Sequence, residues 1–255
     1  MLYPAVNDLL ARLVAGLRAI LGEKLLGVYV YGSLVWGDFD PDISDVDLLA
    51  ALASDLDERE FDALDALHRA QTAHDPQWTE RIEIAYMTRH ALLTFKSERS
   101  PIGIISPGEP FHMKDAGIDW LMNWYFVQTY GVTLFGVDPH TIIAPTTQAE
   151  FFASVREQTE AWRAYIDHVE SRPYQSYAIL TMCRAYYTLT HGEQVSKARA
   201  AAWTADQLPE WADLIRAALV WRQRARDADV DHAATLAETR RFVFFMIDLI
   251  GKMPV

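Results

Sequence analysis

The chain has 255 residues, of which 35 are acidic and 23 basic, and its formal net charge is −12. Hydrophobic residues make up 51% and aromatic residues 12%, which is enough for a substantial core and excludes an intrinsically disordered protein. A passive nucleic-acid binder is disfavoured, because such proteins need Lys and Arg to displace counterions from phosphates. The length fits one large domain or two small ones.

The cysteine content and the N-terminal segment narrow the class of protein further. Cys183 is the single cysteine, so an intramolecular disulfide and a zinc site built on thiolates are both excluded. The apolar N-terminal segment is interrupted by Asp8, Arg12 and Arg18, and therefore fits neither a signal peptide nor a membrane span. We expect a cytoplasmic protein without a membrane partner.

Helix and strand patterns alternate in the first half of the chain. Amphipathic periodicity predicts helices at residues 4–22, 58–73 and 117–130. Runs of β-forming residues predict strands at residues 25–31, 45–52 and 81–87. The segment 97–115 contains Pro101, Pro107 and Pro110, and we interpret it as strand and loop. This half is therefore predicted to mix helices and strands.

The pattern changes near residues 137–147, after which almost every segment has helical periodicity. Helices are predicted at residues 148–169, 177–191, 196–207, 208–226 and 231–250. Gly192 is placed to end one helix, and Pro209 to begin another. We predict two domains, residues 1–145 and 146–255, the second entirely helical.

Residues 31–49 (YGSLVWGDFDPDISDVDLL) carry the pattern that is most informative about chemistry. A strand ends at Gly32-Ser33, where glycine lets a ligand approach the backbone and the Ser33 hydroxyl can contact an anion. Asp45 and Asp47 alternate along the next strand, which puts both carboxylates on one face, roughly 7 Å apart. Such a pair suits Mg²⁺, which takes oxygen ligands and commonly also holds substrate phosphates.

Glu83 is the best candidate for a third carboxylate. It lies between Ile82 and Ile84 in the predicted strand 81–87, so its side chain points away from theirs. If this strand pairs beside the strand of Asp45 and Asp47, the three carboxylates converge. A carboxylate there can take the proton of an attacking hydroxyl while metal ions neutralise the phosphates.

These residues resemble the motif of the nucleotidyltransferase superfamily, which has Gly-Ser, then Asp-x-Asp, then a later carboxylate. The stretch YAILTMCRAYYTLTHGEQVSKARAAAWTADQLP in the helical half is similar to the C-terminal domain of aminoglycoside 3''-adenylyltransferases. The resemblance implies an α+β fold, in which a mixed sheet with flanking helices is followed by a helical domain. That helical domain would close over the nucleotide and the substrate.

The activity implied by the resemblance is Mg²⁺-dependent O-adenylylation. AMP would pass from ATP to a hydroxyl of a small cationic acceptor such as an aminoglycoside, which confers antibiotic resistance. Two Mg²⁺ ions would be held by Asp45, Asp47 and Glu83, and Glu83 would also be the base. The nucleotide-binding positions carried over from the family are Gly32, Ser33, Ser44, Arg184, Lys197 and Trp221. A monomer is expected.

Three positions in the helical half depend most on the resemblance. Lys197 would reach the phosphates, and Arg184 would support the same site. Trp221 stands where the family carries a tyrosine, so an aromatic ring is retained and the phenolic hydroxyl is not. From composition alone, Lys197 would be interpreted as a solvated helix lysine.

The family carries acidic residues, which help to hold the drug, just before the helix predicted to begin at residue 177. Here that segment is SRPYQSY, and the nearest acids are Asp167 and Glu170. Two alternatives therefore stay open: an adenylyltransferase acting on another small molecule or a protein, and a nucleotide-binding protein without transfer activity.

Trp36 and His112 are further candidates for lining the site.

Overall fold

A computed structural model describes residues 3–37, 39–169, 171–223 and 231–254. The chain divides into two compact units between Thr146 and Thr147. Glu170 and the end of the predicted helix 208–226 lie outside the described residues.

The first unit is built around a six-stranded sheet with the order β5-β4-β3-β2-β1-β6. Its strands are β1 (Leu25–Tyr31), β2 (Val46–Leu52), β3 (Ile82–Thr88), β4 (Ser100–Ser106), β5 (Glu109–Ala116) and β6 (Val132–Gly136). Its helices are α1 (Pro4–Leu21), α2 (Ser33–Trp36), α3 (Glu58–His74), α4 (Arg89–Thr94) and α5 (Leu121–Tyr130). Strands β2 and β3 are parallel, whereas the other neighbouring strands are antiparallel. The predicted mixed sheet with flanking helices is confirmed.

The main core lies between one face of this sheet and helices α1 and α3. Apolar side chains of α1 recur at helical spacing, and Leu9, Leu13 and Leu17 are fully buried. They pack in one cluster with alternate residues of the central strands, among them Leu48 and Ile84. Because strand side chains alternate between faces, Asp47 and Glu83 point to the opposite side of the sheet.

The segment predicted as strand and loop forms the β4–β5 hairpin. Pro101 lies outside the part of β4 that pairs with β3, and Pro110 lies on β5, the edge strand. Proline is best tolerated near strand ends and on edge strands, where a missing N–H disturbs the ladder least. Strand β6 was not predicted, because the five residues of VTLFG are all at least partly exposed and show no alternation.

The second unit is helical throughout its described residues. Its helices are α6 (Gln148–Tyr165), α7 (Arg172–His191), α8 (Lys197–Gln207), α9 (Ala212–Gln223) and α10 (Leu236–Gly251). Helix α7 begins five residues earlier than predicted, because the Ser171 hydroxyl accepts a hydrogen bond from the Tyr174 N–H and Pro173 fits the first turn. The segment SRPYQSY is therefore mostly the first turn and a half of a helix. No helix among the described residues is long and apolar enough to span a membrane.

The buried His68 of α3 should make the first unit sensitive to acid. It is 2% exposed, its Nε2 lies 2.8 Å from the Tyr86 hydroxyl, and burial lowers its pKa to about 4. Since the unfolded chain binds the proton near pH 6.5, stability is full above that value and is lost as the pH falls toward 4. We expect His68→Leu to be less stable at pH 7, and we expect this deficit to shrink by about 2 kcal/mol at pH 4.5.

Urea unfolding at the two pH values measures this difference. His74→Leu, at the exposed end of the same helix, is the matched control. A deficit that is equal at both pH values would show that His68 does not stay neutral in the folded chain.

Candidate active site

Three adjacent strands bring the central residues of the site together. Asp47 on β2 lies directly opposite Glu83 on the parallel strand β3. On the other side of β2, Asp47 lies opposite Tyr31, the last residue of β1. Side chains opposite each other in neighbouring strands share a face and come within contact range. Tyr31, Asp47 and Glu83 therefore form a row across the sheet.

Gly32 lies directly against the carboxylate of Asp47. Its backbone has φ +74° and ψ −152°, a conformation that is available to glycine and strained for other residues. A Cβ atom at this position would overlap the Asp47 Oδ2. Glycine is thus required here by both its backbone conformation and its lack of a side chain.

The environment of Glu83 favours its protonated form in the absence of metal. Burial raises its pKa to about 6, and the negative charges of Asp45 and Glu109 act in the same direction, whereas Lys114 opposes them. Asp45 directly precedes β2, the strand that pairs with the strand of Glu83. A carboxylate with a pKa near neutrality is suited to accept a proton from a hydroxyl.

Tyr31 adds a hydroxyl to the same row. The residue is buried, and burial together with Glu83 and Asp47 raises the pKa of its phenol well above the usual value. The Asn123 side-chain amide of α5 donates to this hydroxyl over 3.2 Å. Tyr31 therefore stays neutral beside the carboxylates. Its hydroxyl is held by Asn123 on the face of the sheet opposite the main core.

The two serines occupy different environments. Ser33 is partly exposed and is the first residue of the short helix α2, directly after Gly32. Ser44 is only 4% exposed, and its hydroxyl accepts a hydrogen bond from the Asp40 N–H at 2.9 Å. The Ser44 N–H in turn donates to the Asp40 carbonyl at 2.9 Å. Ser44 thus closes the turn that leads into Asp45.

The donor set of this site fits Mg²⁺ bound together with a nucleotide. In the ranges that the structure describes, no three or more His, Cys, Asp and Glu side chains are grouped so that they enclose an ion by themselves. Mg²⁺ does not need such a group, because it is commonly held by one or two carboxylates, phosphate oxygens and water. Asp45 and Asp47, with Glu83 beside them, supply carboxylate oxygens of this kind.

The remaining predicted residues lie on three helices of the second unit. Arg184 is on α7, Lys197 is the first residue of α8, and Trp221 is on α9. The Lys197 ammonium lies 4.7 Å from the centre of the Tyr177 ring. The guanidinium of Arg172 lies 5.1 Å from the centre of the Trp221 ring. Contacts of this length are favourable cation–π contacts.

Trp36 and His112 contact protein groups in the first unit. The Trp36 ring meets the rings of Phe126 and Tyr130 edge to face, at centroid distances of 5.1 and 6.1 Å. It thereby packs α2 against α5. The His112 Nδ1 lies 2.8 Å from the Pro110 carbonyl oxygen, and its other ring nitrogen lies 3.6 Å from Glu109.

Sequence reasoning missed several residues around the carboxylates. Tyr31 directly precedes Gly32 and occupies the strand face of the acids, so its position was available from alternation. Asn123, which bonds Tyr31, and Lys114 and Glu109, whose charges act on the pKa of Glu83, lie on elements distant in the chain, and no local pattern indicates them. Arg81, two residues before Glu83, is buried, which its type does not suggest.

Comparisons with known proteins match both units. Residues 13–97 match the family Nucleotidyltransferase domain, and residues 141–248 match Aminoglycoside adenylyltransferase, C-terminal domain. Aminoglycoside (3'') (9) adenylyltransferases of Klebsiella pneumoniae and Shigella flexneri are 24% identical over an alignment of 219 residues, and the match covers 80% of this chain and 80% of theirs.

A solved structure has the same fold. It is that of a spectinomycin adenyltransferase, AAD(9), from Enterococcus faecialis with ATP and spectinomycin. The TM-score is 0.76 at 17% sequence identity, and the match covers 96% of this chain and 99% of that one. The resemblance inferred from the motifs is confirmed, as is the predicted fold. The chain is an enzyme of the nucleotidyltransferase class that resembles the aminoglycoside adenylyltransferases.

Proposed function

We propose that this nucleotidyltransferase, whose two halves resemble those of aminoglycoside adenylyltransferases, transfers AMP from ATP to a hydroxyl of an aminoglycoside-type antibiotic such as streptomycin or spectinomycin. The observation that carries the proposal is the pairing of Asp47 with Glu83 beside Gly32. It sets two carboxylates near the starts of β2 and β3, beside the glycine that follows β1, an arrangement suited to phosphoryl chemistry. The similar proteins are named for this reaction.

In the proposed reaction, Glu83 accepts the proton of the acceptor hydroxyl. The hydroxyl oxygen then forms a bond to the α-phosphorus, and the bond from that phosphorus to the bridging oxygen of the β-phosphate breaks. Pyrophosphate leaves with the bond electrons, and AMP stays on the acceptor. Mg²⁺, held by Asp45, Asp47 and Glu83, would neutralise the phosphate charges. Two ions are proposed by analogy with the superfamily.

The nucleotide-binding roles that we propose fall in residues 1–145 and in residues 146–255, the two proposed domains. Ser33 contacts the triphosphate, and Ser44 acts beside it, chiefly by shaping the turn that its hydroxyl closes. Lys197 and Arg184 supply positive charge to the phosphates, and the Trp221 ring stacks on the base. We propose a cytoplasmic monomer with no nucleic-acid or membrane partner, in keeping with the net charge of −12.

A second candidate acceptor is another small hydroxyl compound or a protein. The segment SRPYQSY at the start of α7 contains no acid. Asp167, the nearest described acid upstream of it, forms an ion pair with Arg240. Local carboxylates for a polycationic drug are therefore fewer than the resemblance implies. This observation bears on the acceptor and leaves the adenylyl chemistry unaffected.

The acceptor is tested with purified protein, ATP and Mg²⁺ by measuring pyrophosphate release with streptomycin, spectinomycin and other aminoglycosides. We expect release that depends on one of these drugs, with a drug–AMP product detected by mass spectrometry. Asp47→Asn should abolish release, because it removes a charged oxygen ligand without changing the shape of the side chain. Asp62→Asn, exposed on α3, is the matched control.

Each other outcome selects a different function. AMP incorporation into a cell extract but into none of these drugs would support the second candidate. Binding of Mg²⁺ and ATP without transfer to any acceptor would identify a nucleotide-binding protein and overturn the proposed activity.

A further inference from the structure

Arg81 has no role in the reaction described above, although it lies at the base of the carboxylate cluster. It directly precedes β3, and its backbone carbonyl accepts the N–H of Val46, the first residue of β2, at 2.9 Å. The two strands that carry Asp47 and Glu83 are thus joined at Arg81, at the start of their parallel ladder.

The Arg81 side chain is only 5% exposed and is directed to backbone carbonyls of the turn before β2. Its Nε and Nη2 donate to the Ser44 carbonyl at 3.0 and 2.7 Å. Its Nη1 donates to the Gln77 carbonyl at 3.3 Å, and its Nη2 also lies 3.5 Å from the Asp40 carbonyl. The guanidinium lies 5.1 Å from the centre of the Trp78 ring. A guanidinium is buried in this way when several acceptors compensate its lost hydration.

The bonded carbonyl belongs to the peptide group that leads into Asp45. Strand β2 begins at Val46, so the ladder that fixes Asp47 opposite Glu83 does not include Asp45. The Ser44–Asp45 peptide is instead held by two N–H groups of one planar guanidinium. A planar fork of this kind restrains both the position and the rotation of the group it binds.

We propose that Arg81 is a positioning residue that acts through Asp45. By holding the Ser44 carbonyl, it keeps the Asp45 carboxylate near Glu83, where the two hold the metal–nucleotide complex. This inference rests on the proposed function only in that it takes Asp45 as a metal ligand. It adds Arg81, a residue outside the motif, as the group that positions Asp45 for metal binding.

The first test compares Arg81→Lys and Arg81→Met with the unchanged chain. Lysine keeps the charge but cannot place two donors on one carbonyl and a third on Gln77. We expect the Kd for Mg²⁺ with a non-hydrolysable ATP analogue, measured by calorimetry, to rise about tenfold in both variants. We expect kcat to fall about 10²-fold, with the acceptor KM nearly unchanged.

The matched control is Arg156→Met in the second unit. Arg156 also donates to two backbone carbonyls, those of Ile250 and Pro254, each at 2.8 Å. It is remote in sequence from the motif, and its loss should lower thermal stability without changing the Kd for the metal–nucleotide complex. If Arg81→Lys behaves like this control, the positioning role is wrong and Arg81 is merely structural.

A double-mutant cycle decides whether Arg81 acts through Asp45. Asp45→Asn alone should raise the Kd for the metal–nucleotide complex. We expect Arg81→Lys to add little in the Asp45→Asn background, because the group it positions is already gone. Fully additive effects would overturn the proposal.

The calorimetric readout needs no acceptor and no turnover. Failure of the proposed acceptor would therefore leave this test intact, whereas failure of the positioning role would leave the activity intact. If Arg81→Met does not fold, Arg81→Lys at a temperature below its Tm carries the same test.

Discussion

Replacing Glu83 by Gln is expected to reduce AMP transfer by roughly 10³-fold, because the amide cannot accept the proton of the acceptor hydroxyl. Binding of ATP with Mg²⁺ should be retained in large part through Asp45 and Asp47. Pyrophosphate release at saturating substrates measures kcat, and calorimetry with a non-hydrolysable ATP analogue measures binding. Glu157→Gln, an exposed position on α6, is the matched control. Full activity of Glu83→Gln would show that another group is the base.

The same substitution should stabilise the metal-free protein in a pH-dependent manner. The pKa of Glu83 is raised on folding from 4.5 to about 6, so the ionised form is disfavoured in the folded chain. Ionised Glu83 therefore lowers the free energy of unfolding. This loss of stability is absent well below pH 4.5, appears as the pH rises from 4.5 to 6, and is complete above that range. We expect Glu83→Gln to gain about 1 to 2 kcal/mol at pH 8 and only a fraction of that near pH 4.5. Urea unfolding in EDTA measures both.

A gain in stability combined with a loss of activity would show that Glu83 is needed for the reaction although it destabilises the folded chain. No pH-dependent gain would instead mean that the buried carboxylate is already compensated in the metal-free chain. Glu157→Gln should show neither effect, since its side chain is exposed.

Gly32→Ala should be the most damaging single-methyl change in the site. The new Cβ would meet the Asp47 carboxylate, and the backbone at φ +74° and ψ −152° would be strained as well. Strain of this kind costs about 1 to 3 kcal/mol, and the overlap adds to it. Displacing Asp47 by about 1 Å should also lower kcat by roughly 10²-fold. Thermal unfolding and pyrophosphate release are the measurements.

Gly37→Ala separates these two causes. Gly37 also has a positive φ, +72°, but a Cβ there would meet nothing within 4 Å. We expect it to lose about 1 kcal/mol of stability and to keep its activity, since only backbone strain is introduced. Equal losses of activity in the two variants would contradict the contact between Gly32 and Asp47 as the cause.

The strands that carry the site were predicted closely from the sequence because they are buried and apolar. The predicted β1 agrees with Leu25–Tyr31, whereas β2 differs by one residue at its start and β3 by one residue at each end. The alternation that set Glu83 opposite to its isoleucine neighbours also placed it on the face of Asp47. The sequence could not show that these two strands are neighbours, and the convergence of the carboxylates was predicted only if they are. The parallel pairing of β2 and β3 fulfils this condition.

The rest of the site depends on contacts between distant segments. The Arg81 guanidinium reaches Ser44 across 37 positions of the chain, and Asn123 reaches Tyr31 across 92. No local period encodes such contacts. The early start of α7 was missed for a different reason. The helix begins directly after its capping residue, Ser171, but its first residues are polar and aromatic and show no apolar stripe, so helical periodicity does not reveal them.

The parallel pairing of β2 and β3 has a consequence for how the enzyme is made. Parallel neighbours cannot be joined by a tight turn, and here helix α3 forms the crossover between them. Asp47 and Glu83 therefore meet only after this whole β–α–β segment has closed, a slow step because the entropy of loop closure must be overcome before the strands pair. A nascent chain lacks the completed site until the segment is synthesised and folded. A nucleotide bound through both carboxylates would therefore stabilise only the folded domain.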